Sequence, residues 1–557
     1  MVRKAVILAL FAGLFVAPAA LAVVPVRGQT LLPGVIYSRQ VEFTGHGPVV
    51  INVISVPKPT GLYALKPILS NGSILGRERV TSMQKRASAE ATVAGVNGDL
   101  FSLSDGHPTG GLIRGGILDS GPVDFRSTVG IDTDGVLHVE RVRLAGTWQG
   151  SGQRRILGIN EVPRPNRTTL YTRAWGARTP AENGGTQAII QPFPASKPNT
   201  PLTGVVTQYV SGGNQPIPPD GAVLVARGSQ AGFLSAEAPQ GANVTVLLTL
   251  TPPWANVLQA VGGGPIIVRD GKPVFRSLED FTTDQLAYRR PRTGVGQTAD
   301  GRILLVAVDG NQPGYSSGLT NFELALTMMR LGCVTASALD SGGSTTMAFD
   351  GKLLNRPSDP GGERAVADAL TLFYYGVYAS ALPARVLSPN ADGVDDTQTF
   401  SYKLVRPSTV TATLTGPGGI VVPLDSGSRA PGVYKFDWTG AGQPEGAWTF
   451  RTVADDDLGR HSVADRQFGL NNTLGFVSTS ASHRLVTASF KLARPARVAL
   501  RIETPGGGSV KTLASRNLPA GDGTISWRGG PGSYLFSVTA TNEIGAVELT
   551  APFRLRR

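Results

Sequence analysis

A stretch of seven residues near the C-terminal end occurs twice. Ser401-Tyr402-Lys403-Leu404-Val405-Arg406-Pro407 returns as Ser489-Phe490-Lys491-Leu492-Ala493-Arg494-Pro495. Trp438 is echoed by Trp527, and Ala454-Asp455-Asp456-Asp457-Leu458-Gly459 by Ala540-Thr541-Asn542-Glu543-Ile544-Gly545. A duplication with a repeat of about 88 residues restricts the last third of the chain to two copies of one small unit. Alternating apolar residues between Gly and Pro turns make that unit β, at about the ~100 residues of an immunoglobulin-like sandwich. The expected boundaries are 384–469 for the first copy and 470–557 for the second.

The remainder is also poor material for helical bundles. It shares in the 70 Gly and 40 Pro of the 557-residue chain and in many short Val- and Thr-rich runs. A length of this size implies several domains at ~150 residues each. The expected class is therefore an α+β domain of mixed sheets with few helices over 23–380, followed by two all-β immunoglobulin-like sandwiches.

The first 22 residues read as a secretory signal. Arg3 and Lys4 precede the uncharged run Ala5 to Val16, and Ala20-Leu21-Ala22 has the small-x-small form of a cleavage site. The run is short for a membrane span of roughly 20 residues, and no later stretch is long and apolar enough, so no stable transmembrane anchor is expected. The expected location is secreted or cell surface. The formal charge of +12 would draw such a protein to anionic envelope polymers. The basic residues are scattered, without zinc-ligand spacing or a basic-aromatic motif, which argues against nucleic acid. Cys333 is the single cysteine, so no internal disulfide can form, and its apolar neighbours Leu331 and Val334 suit a buried structural thiol.

Along the chain, Val49 to Ile54 reads as a strand. Thr81-Ser82-Met83-Gln84 has the form of a capping box opening a helix. Thr92 to Val96 reads as a buried strand running into Asn97-Gly98-Asp99. Residues 130–290 hold many short β-like runs, including a hairpin around Asp134-Gly135. Leu304 to Val308 is an apolar strand ending at Asp309. Thr320-Asn321-Phe322-Glu323 is a second capping box, whose helix runs through Leu331 and stops at Gly332. The following strand, near Val334 to Leu339, ends at Asp340. Two aspartates thus stand where strands give way to loops, a place where open sheets put binding groups, although that rule was drawn for parallel sheets.

Three segments concentrate polar and glycine residues: Asn97 to Phe101 with His107 and Gly110-Gly111; Arg290 to Gly296 through Asp309-Gly310-Asn311-Gln312; and Leu339 to Met347 with Asn355 to Asp359 and Glu363-Arg364. Read singly, these are turns and capping residues. Their order is more specific. Asn97-Gly98-x-Leu100-Phe101, Gly262 to Pro265, Pro291-Arg292-Thr293-x-Val295-Gly296, Val308-Asp309-Gly310, Glu323-Leu324-Ala325, Leu339-Asp340-x-Gly342-Gly343-Ser344-Thr345-Thr346-Met347, Asn355 to Asp359 and Glu363-Arg364 together resemble the phosphodiester glycosidase family. The resemblance runs over roughly 75–378, is strongest over 262–372, and gains a weaker match at Tyr171 to Gly176.

That resemblance implies hydrolysis of a sugar joined through its anomeric carbon to a phosphodiester, giving free sugar and a phosphomonoester, without a cofactor or metal. Arg292 and Arg364 would grip phosphate oxygens bidentately. Backbone N–H groups of Gly342, Gly343 and Ser344, with the Ser344 and Thr345 hydroxyls, would form an anion nest. Asp340, Asp309 and Asp99 are the carboxylates available to steady an oxocarbenium-like centre or activate water. His107 is a candidate proton donor. Asn97, Thr293 and Glu323 complete the expected substrate-binding set, although the capping box already accounts for Glu323.

The chain departs from the family pattern at three places. Asp99 stands where glycine is common, Ser341 interrupts an Asp-Gly-Gly-Gly run, and Asp368 stands where asparagine is common. These departures motivate one alternative, a non-catalytic binder of anionic glycans; a second, a structural adhesin, rests on the paired C-terminal units. Ser388 to Asp396 resembles the opening of flagellar-hook-capping-type immunoglobulin-like domains. Its Asn390, Asp392 and Asp396 offer oxygens to Ca²⁺, or an ordinary Asx-turn.

Overall fold

In one end of the molecule three sheets close around a shared core. The computed structural model describes residues 28–181, 185–274, 277–389, 395–505 and 508–556. The expected signal peptide, Asn390 and Asp392 lie outside them. Eight strands form the largest sheet, in the order Gln29–Leu32, Val35–Thr44, Gly47–Val56, Ile303–Val308, Arg292–Thr298, Cys333–Ala338, Ile266–Arg269 and Lys272–Pro273, each antiparallel to the next. A five-stranded sheet runs Lys352–Leu353, Met347–Phe349, Thr92–Asn97, Asp368–Tyr374, Tyr63–Leu69. A second five-stranded sheet holds Ile117–Ser120, Leu112–Arg114, Val257–Gly262, Ser127–Asp132 and Leu137–Arg141. Ile54, Val295 and Leu305 from the first, Val96 and Leu370 from the second, and Val129 and Val261 from the third are buried together. Strands covered on both faces lose the alternation of a half-exposed strand, so Ile303–Val308 and Asp368–Tyr374 are buried throughout and read as continuous apolar runs.

Residues 143–251 build a separate eight-stranded sheet, running from Gln153–Ile156 to Gly158–Ile159. Trp148, Leu170, Ile190, Leu224 and Val246 form its core. Its last pair, Gly158–Ile159 with Thr168–Tyr171, is parallel.

The helices of this region are short. Asn321–Arg330 opens with the expected capping box, Thr320 and Glu323 satisfying each other's backbone N–H groups. It packs Leu324, Ala325 and Met328 on the large sheet beside buried Cys333, whose thiol burial pushes up to about 12. Val80–Ala87 begins differently from expectation. Its N-cap, Arg79, makes no side-chain cap. Glu363 instead takes the Thr81 N–H at 2.9 Å and the Thr81 hydroxyl at 2.6 Å, so a carboxylate remote in sequence meets the positive end of the helix. Gln84 is used elsewhere, donating to Ala348 O and accepting from Gly351 N. The molecule is thus mostly β, with helices as covers on sheets.

Two further pairs of sheets follow. The first couples Tyr378–Ala379, Gln398–Leu404 and Gly432–Trp438 with five strands from Val386–Leu387 to Val421–Arg429. The second couples Leu474–Ser482, Leu485–Leu492 and Gly521–Arg528 with four strands between Ala496–Glu503 and Gly545–Leu555. The duplication is kept in register, with Gln398 opposite Trp438 in one unit and Val486 opposite Trp527 in the other. The first unit is docked on the N-terminal region, Lys403 Nζ donating to Ser88 Oγ at 2.6 Å and standing 3.6 Å from Asp350. Among the described residues no helix is long and apolar enough to cross a membrane.

Candidate functional site

Antiparallel pairing brings the ends of Thr92–Asn97, Ile303–Val308 and Cys333–Ala338 to the starts of Arg292–Thr298 and Asp368–Tyr374. Asn97, fully buried, ties these ends together. Its Oδ1 accepts from the Thr293 hydroxyl at 2.8 Å and from Thr346 N at 3.1 Å, and its Nδ2 donates to Asp340 O at 2.9 Å. Asp340 N donates to Gly98 O at 3.0 Å, and Leu339 N to Thr293 O at 2.9 Å. Thr345 Oγ1 lies 3.3 Å from Thr293 Oγ1. Asn97, Thr293 and Thr345 therefore hold the loop that carries Asp340, from behind.

Three aspartates meet at this junction. Asp340 keeps part of its surface open, and its Oδ1 accepts from Ser341 N at 2.8 Å. Burial of the carboxyl group, opposed by the Ser344 hydroxyl and the Ser341 N–H, pushes it up to about 6. Asp368 is fully buried and accepts from Asp99 N at 2.8 Å through Oδ1. Burial, with the charge of Asp99, pushes it up to about 8. Gly98 is obligatory there, since a Cβ would come within 2.0 Å of Asp368 Oδ1. Asp99 is buried against Gly110 and Gly262 and receives Arg126 Nη2 at 2.8 Å. Burial raises its carboxyl group while Arg126 pulls the other way. The outer oxygens of Asp99 and Asp368 have no hydrogen-bond partner. Burial, and then the nearby charge of Asp99, favour the protonated form of Asp368.

Directly after Asp340 in the chain, Ser341, Gly342 and Gly343 line a cleft of about 990 Å³, whose lining also includes Arg289, Arg290 and Arg364. Gly342 has φ +68° and turns the chain so that this backbone faces the cleft. Arg364 grips Asp359 through two bonds of 2.8 and 3.0 Å. The pair lies so close over Gly343 that a Cβ would be 2.1 Å from each. Ser344 is buried beneath.

The other expected residues are placed apart from this cleft. Arg292 is 2% exposed. Its Nε, Nη1 and Nη2 donate to Leu319 O, Gln285 O and Tyr288 O at 2.8, 2.6 and 2.6 Å, and burial lowers it to about 10. The expected phosphate clamp is corrected here: the fork of the guanidinium is taken up by carbonyls. Asp309 is likewise engaged on both oxygens, by Asn355 and Arg356 N at 3.0 and 3.1 Å and by Tyr315 and Asn52 at 3.0 and 3.3 Å, with burial raising its carboxyl group. It fixes the 309–316 and 355–356 loops. Glu323 divides itself between the helix cap and Arg289. His107 is bound to Asp105 at 2.6 Å within the 102–107 turn, which gives its ring a local partner.

Asp368, Arg126, Arg289 and Arg290 were not singled out as site residues from the sequence. Asp368 had a signal, a charge opening an otherwise unbroken apolar strand. Arg290 opened one of the polar segments without being given a role, and Arg126 and Arg289 had no signal, because their partners Asp99 and Glu323 come from other segments.

Comparison with known proteins follows the same region. Residues 199–373 match the phosphodiester glycosidase family. Over 108 residues the chain is 40% identical to an SPbeta prophage-derived uncharacterized protein, YomE, of Bacillus subtilis strain 168, covering 19% of this chain and 16% of that protein. The chain thus matches only a small part of that relative's length. A solved hypothetical protein from Synechocystis is similar over 63% of this chain and 64% of its own, at 23% identity and TM-score 0.54, a likeness of fold alone. The zebrafish N-acetylglucosamine-1-phosphodiester alpha-N-acetylglucosaminidase catalytic domain, auto-inhibited by its pro-peptide, aligns over 62% of this chain and 84% of its own, at 16% identity and TM-score 0.31. By the match over residues 199–373, the chain carries a phosphodiester glycosidase domain.

Proposed function

We propose that this protein hydrolyses the glycosidic bond of sugar-1-phosphodiesters in envelope or extracellular glycans, releasing a free sugar and a phosphomonoester. The observation that carries this reading is the succession, within one loop, of Asp340, a residue of intermediate exposure, and the Ser341–Gly343 backbone that lines the cleft beside Arg364. The phosphodiester lies against that backbone, whose N–H groups meet the charge that builds on phosphate as the bond breaks, while the fork expected of Arg364 for phosphate is taken up by Asp359. Asp340 faces the sugar. It takes a proton from the water that attacks the anomeric carbon, while the carbon–oxygen bond to phosphate breaks and its electron pair stays with phosphate. A phosphate leaving group is weakly basic, so the reaction needs no strong acid on that side. A carboxyl group held near 6 is ionised at neutral pH and still basic enough to serve.

Asp99 and Asp368 do not act on substrate: after burial itself, the charge of Asp99 raises the Asp340 carboxyl group, and Asp368 anchors Asp99 by accepting its N–H. Export, and attachment or spacing by the two C-terminal units as immunoglobulin-like domains, complete the reading. Turnover of a synthetic sugar-1-phosphodiester by purified protein, measured beside Asp340→Asn, tests it. Binding of such substrates without turnover would instead favour the glycan-binding alternative.

A further inference from the structure

The 287–290 stretch of the cleft lining has no part in the proposed reaction, yet it is firmly held. Arg292 pins the 285–288 turn by donating to Gln285 O and Tyr288 O while also holding Leu319 O. Arg290 pairs with Leu319 through its backbone at 3.1 and 3.0 Å. Gly310 and Gly318 press against that backbone, where Cβ atoms would come within 2.6 and 2.4 Å of the chain. The segment is fixed from three sides, and it presents Tyr288, Arg289 and Arg290 to the cleft.

The charges on this wall are not balanced. Arg289 is neutralised by Glu323, and Arg364 by Asp359. Arg290 faces Asp284 at 4.0 Å, a carboxylate whose side chain is 61% exposed, which leaves the guanidinium largely uncompensated. A single phosphodiester carries one charge, and the Ser341–Gly343 backbone already meets it. The cleft, about 990 Å³, is at the upper end of the ~300–1,000 Å³ that holds a drug-sized ligand, more than one glycosyl phosphate fills. The ring of Tyr288, 55% exposed and 5.9 Å from Arg290, offers an apolar face of the kind sugars pack against.

We propose that Tyr288 and Arg290 form a second anion subsite that receives the neighbouring phosphate of a repeating phosphodiester glycan. The substrate class is then a polymer with regularly spaced phosphates, of which the enzyme cleaves one linkage while holding the next. This rests on the reaction assigned to Asp340, and two measurements keep the two claims separable.

The first is kinetic. Wild type and Arg290→Ala are compared on the methyl ester of a sugar 1-phosphate and on an oligomer of the same sugar-1-phosphodiester. The Arg290 side chain is 39% exposed, so the variant keeps its fold. Loss of one charge-assisted contact raises KM for the oligomer about tenfold at unchanged kcat and leaves the methyl ester unaffected. An equal rise on both substrates would assign Arg290 to the scissile phosphate, and no change on either would remove it from binding; both results overturn the subsite. The second is calorimetric and needs no turnover. Wild type binds a glycerol phosphate trimer more tightly than glycerol 3-phosphate, with a steeper loss in salt, and Arg290→Ala abolishes the difference. Equal affinity of wild type for trimer and monomer overturns the proposal even in an active enzyme. Absence of turnover with the trimer preference intact sinks the reaction and leaves the subsite standing.

Discussion

In the C-terminal two-sheet units, aspartates have arginines within reach along a turn or across a strand. Asp456 meets Arg460 at 2.7 Å, Asp465 meets Arg451 at 2.8 Å, Asp457 meets Arg406 at 2.6 Å, and Asp425 is held by Arg429. Partial burial works against Asp456 and Asp425, but the hydrogen bonds of Arg460 and Arg429 win and hold both below the usual carboxylate range. Around Asp340 the balance is reversed. Burial dominates at Asp99, Asp340 and Asp368, and only Asp99 has a guanidinium in direct contact. The first arrangement keeps a sandwich soluble at little cost. The second holds carboxyl groups out of water in states that oppose folding at neutral pH, which is what a site under functional constraint looks like.

The contrast is broken most sharply at Asp340. Asp340→Asn should lower kcat by a factor of roughly 100 or more while KM moves little, as removal of an acid–base group does. The variant should melt no lower than wild type, because the Ser341 N–H still has an oxygen to meet and a buried charge is gone. A near-normal kcat would leave Asp340 with a structural role only. The wild-type rate should rise as pH passes about 6, where that carboxyl group ionises, and the profile checks it.

Next in size is Arg292→Met. Three hydrogen bonds from a charged donor are lost, leaving Tyr288 O without a donor while Leu319 O keeps Arg290 N and Gln285 O keeps Asn321 Nδ2, and the domain should lose roughly 3 kcal/mol in a denaturant titration. Restoration of full stability by methionine would mean that solvent replaces the guanidinium freely. A smaller effect is expected at Asp368. Its folded pKa, about 8, lies above the ordinary value near 4, so between those limits the folded state binds more protons than the unfolded one. Stability therefore falls as pH rises through this window. Asp368→Asn removes the dependence and should gain about 1–3 kcal/mol at pH 8 and nothing near pH 4, read from melts at both. The smallest change belongs to the other end. Arg451→Ala breaks a pair whose side chains are 55% and 39% exposed and should alter stability by less than about 0.5 kcal/mol.

What the sequence revealed follows the range of the interactions involved. The Thr320–Glu323 cap, the strand before Asp340 and the doubled C-terminal unit are written in neighbouring residues, and all are present. Thr81 looked like the same kind of cap, but its partner is Glu363, supplied from the far side of the domain. Arg292 has the residue type of a phosphate clamp and lacks the exposure, because carbonyls of the 285–288 turn and Leu319 reach it first. The self-contained sheet of 143–251 was read only as a run of short strands, since nothing local marks where strands change sheets. The first C-terminal unit also begins earlier than its composition suggests: Tyr378–Ala379 pairs with Gln398–Leu404.

The position of Asp368–Tyr374 between Thr92–Asn97 and Tyr63–Leu69 has a consequence for the life of the chain. The strand that completes the junction is synthesised almost three hundred residues after its neighbours, roughly as far apart as contacts in one domain are found. Until it arrives, Asn97 has no wall on one side and Asp99 no acceptor for its amide. The 143–251 sheet can mature from nearby segments, but the junction at Asp340 stays incomplete until Asp368–Tyr374 has been made, so a chain that stops short of that strand lacks the centre.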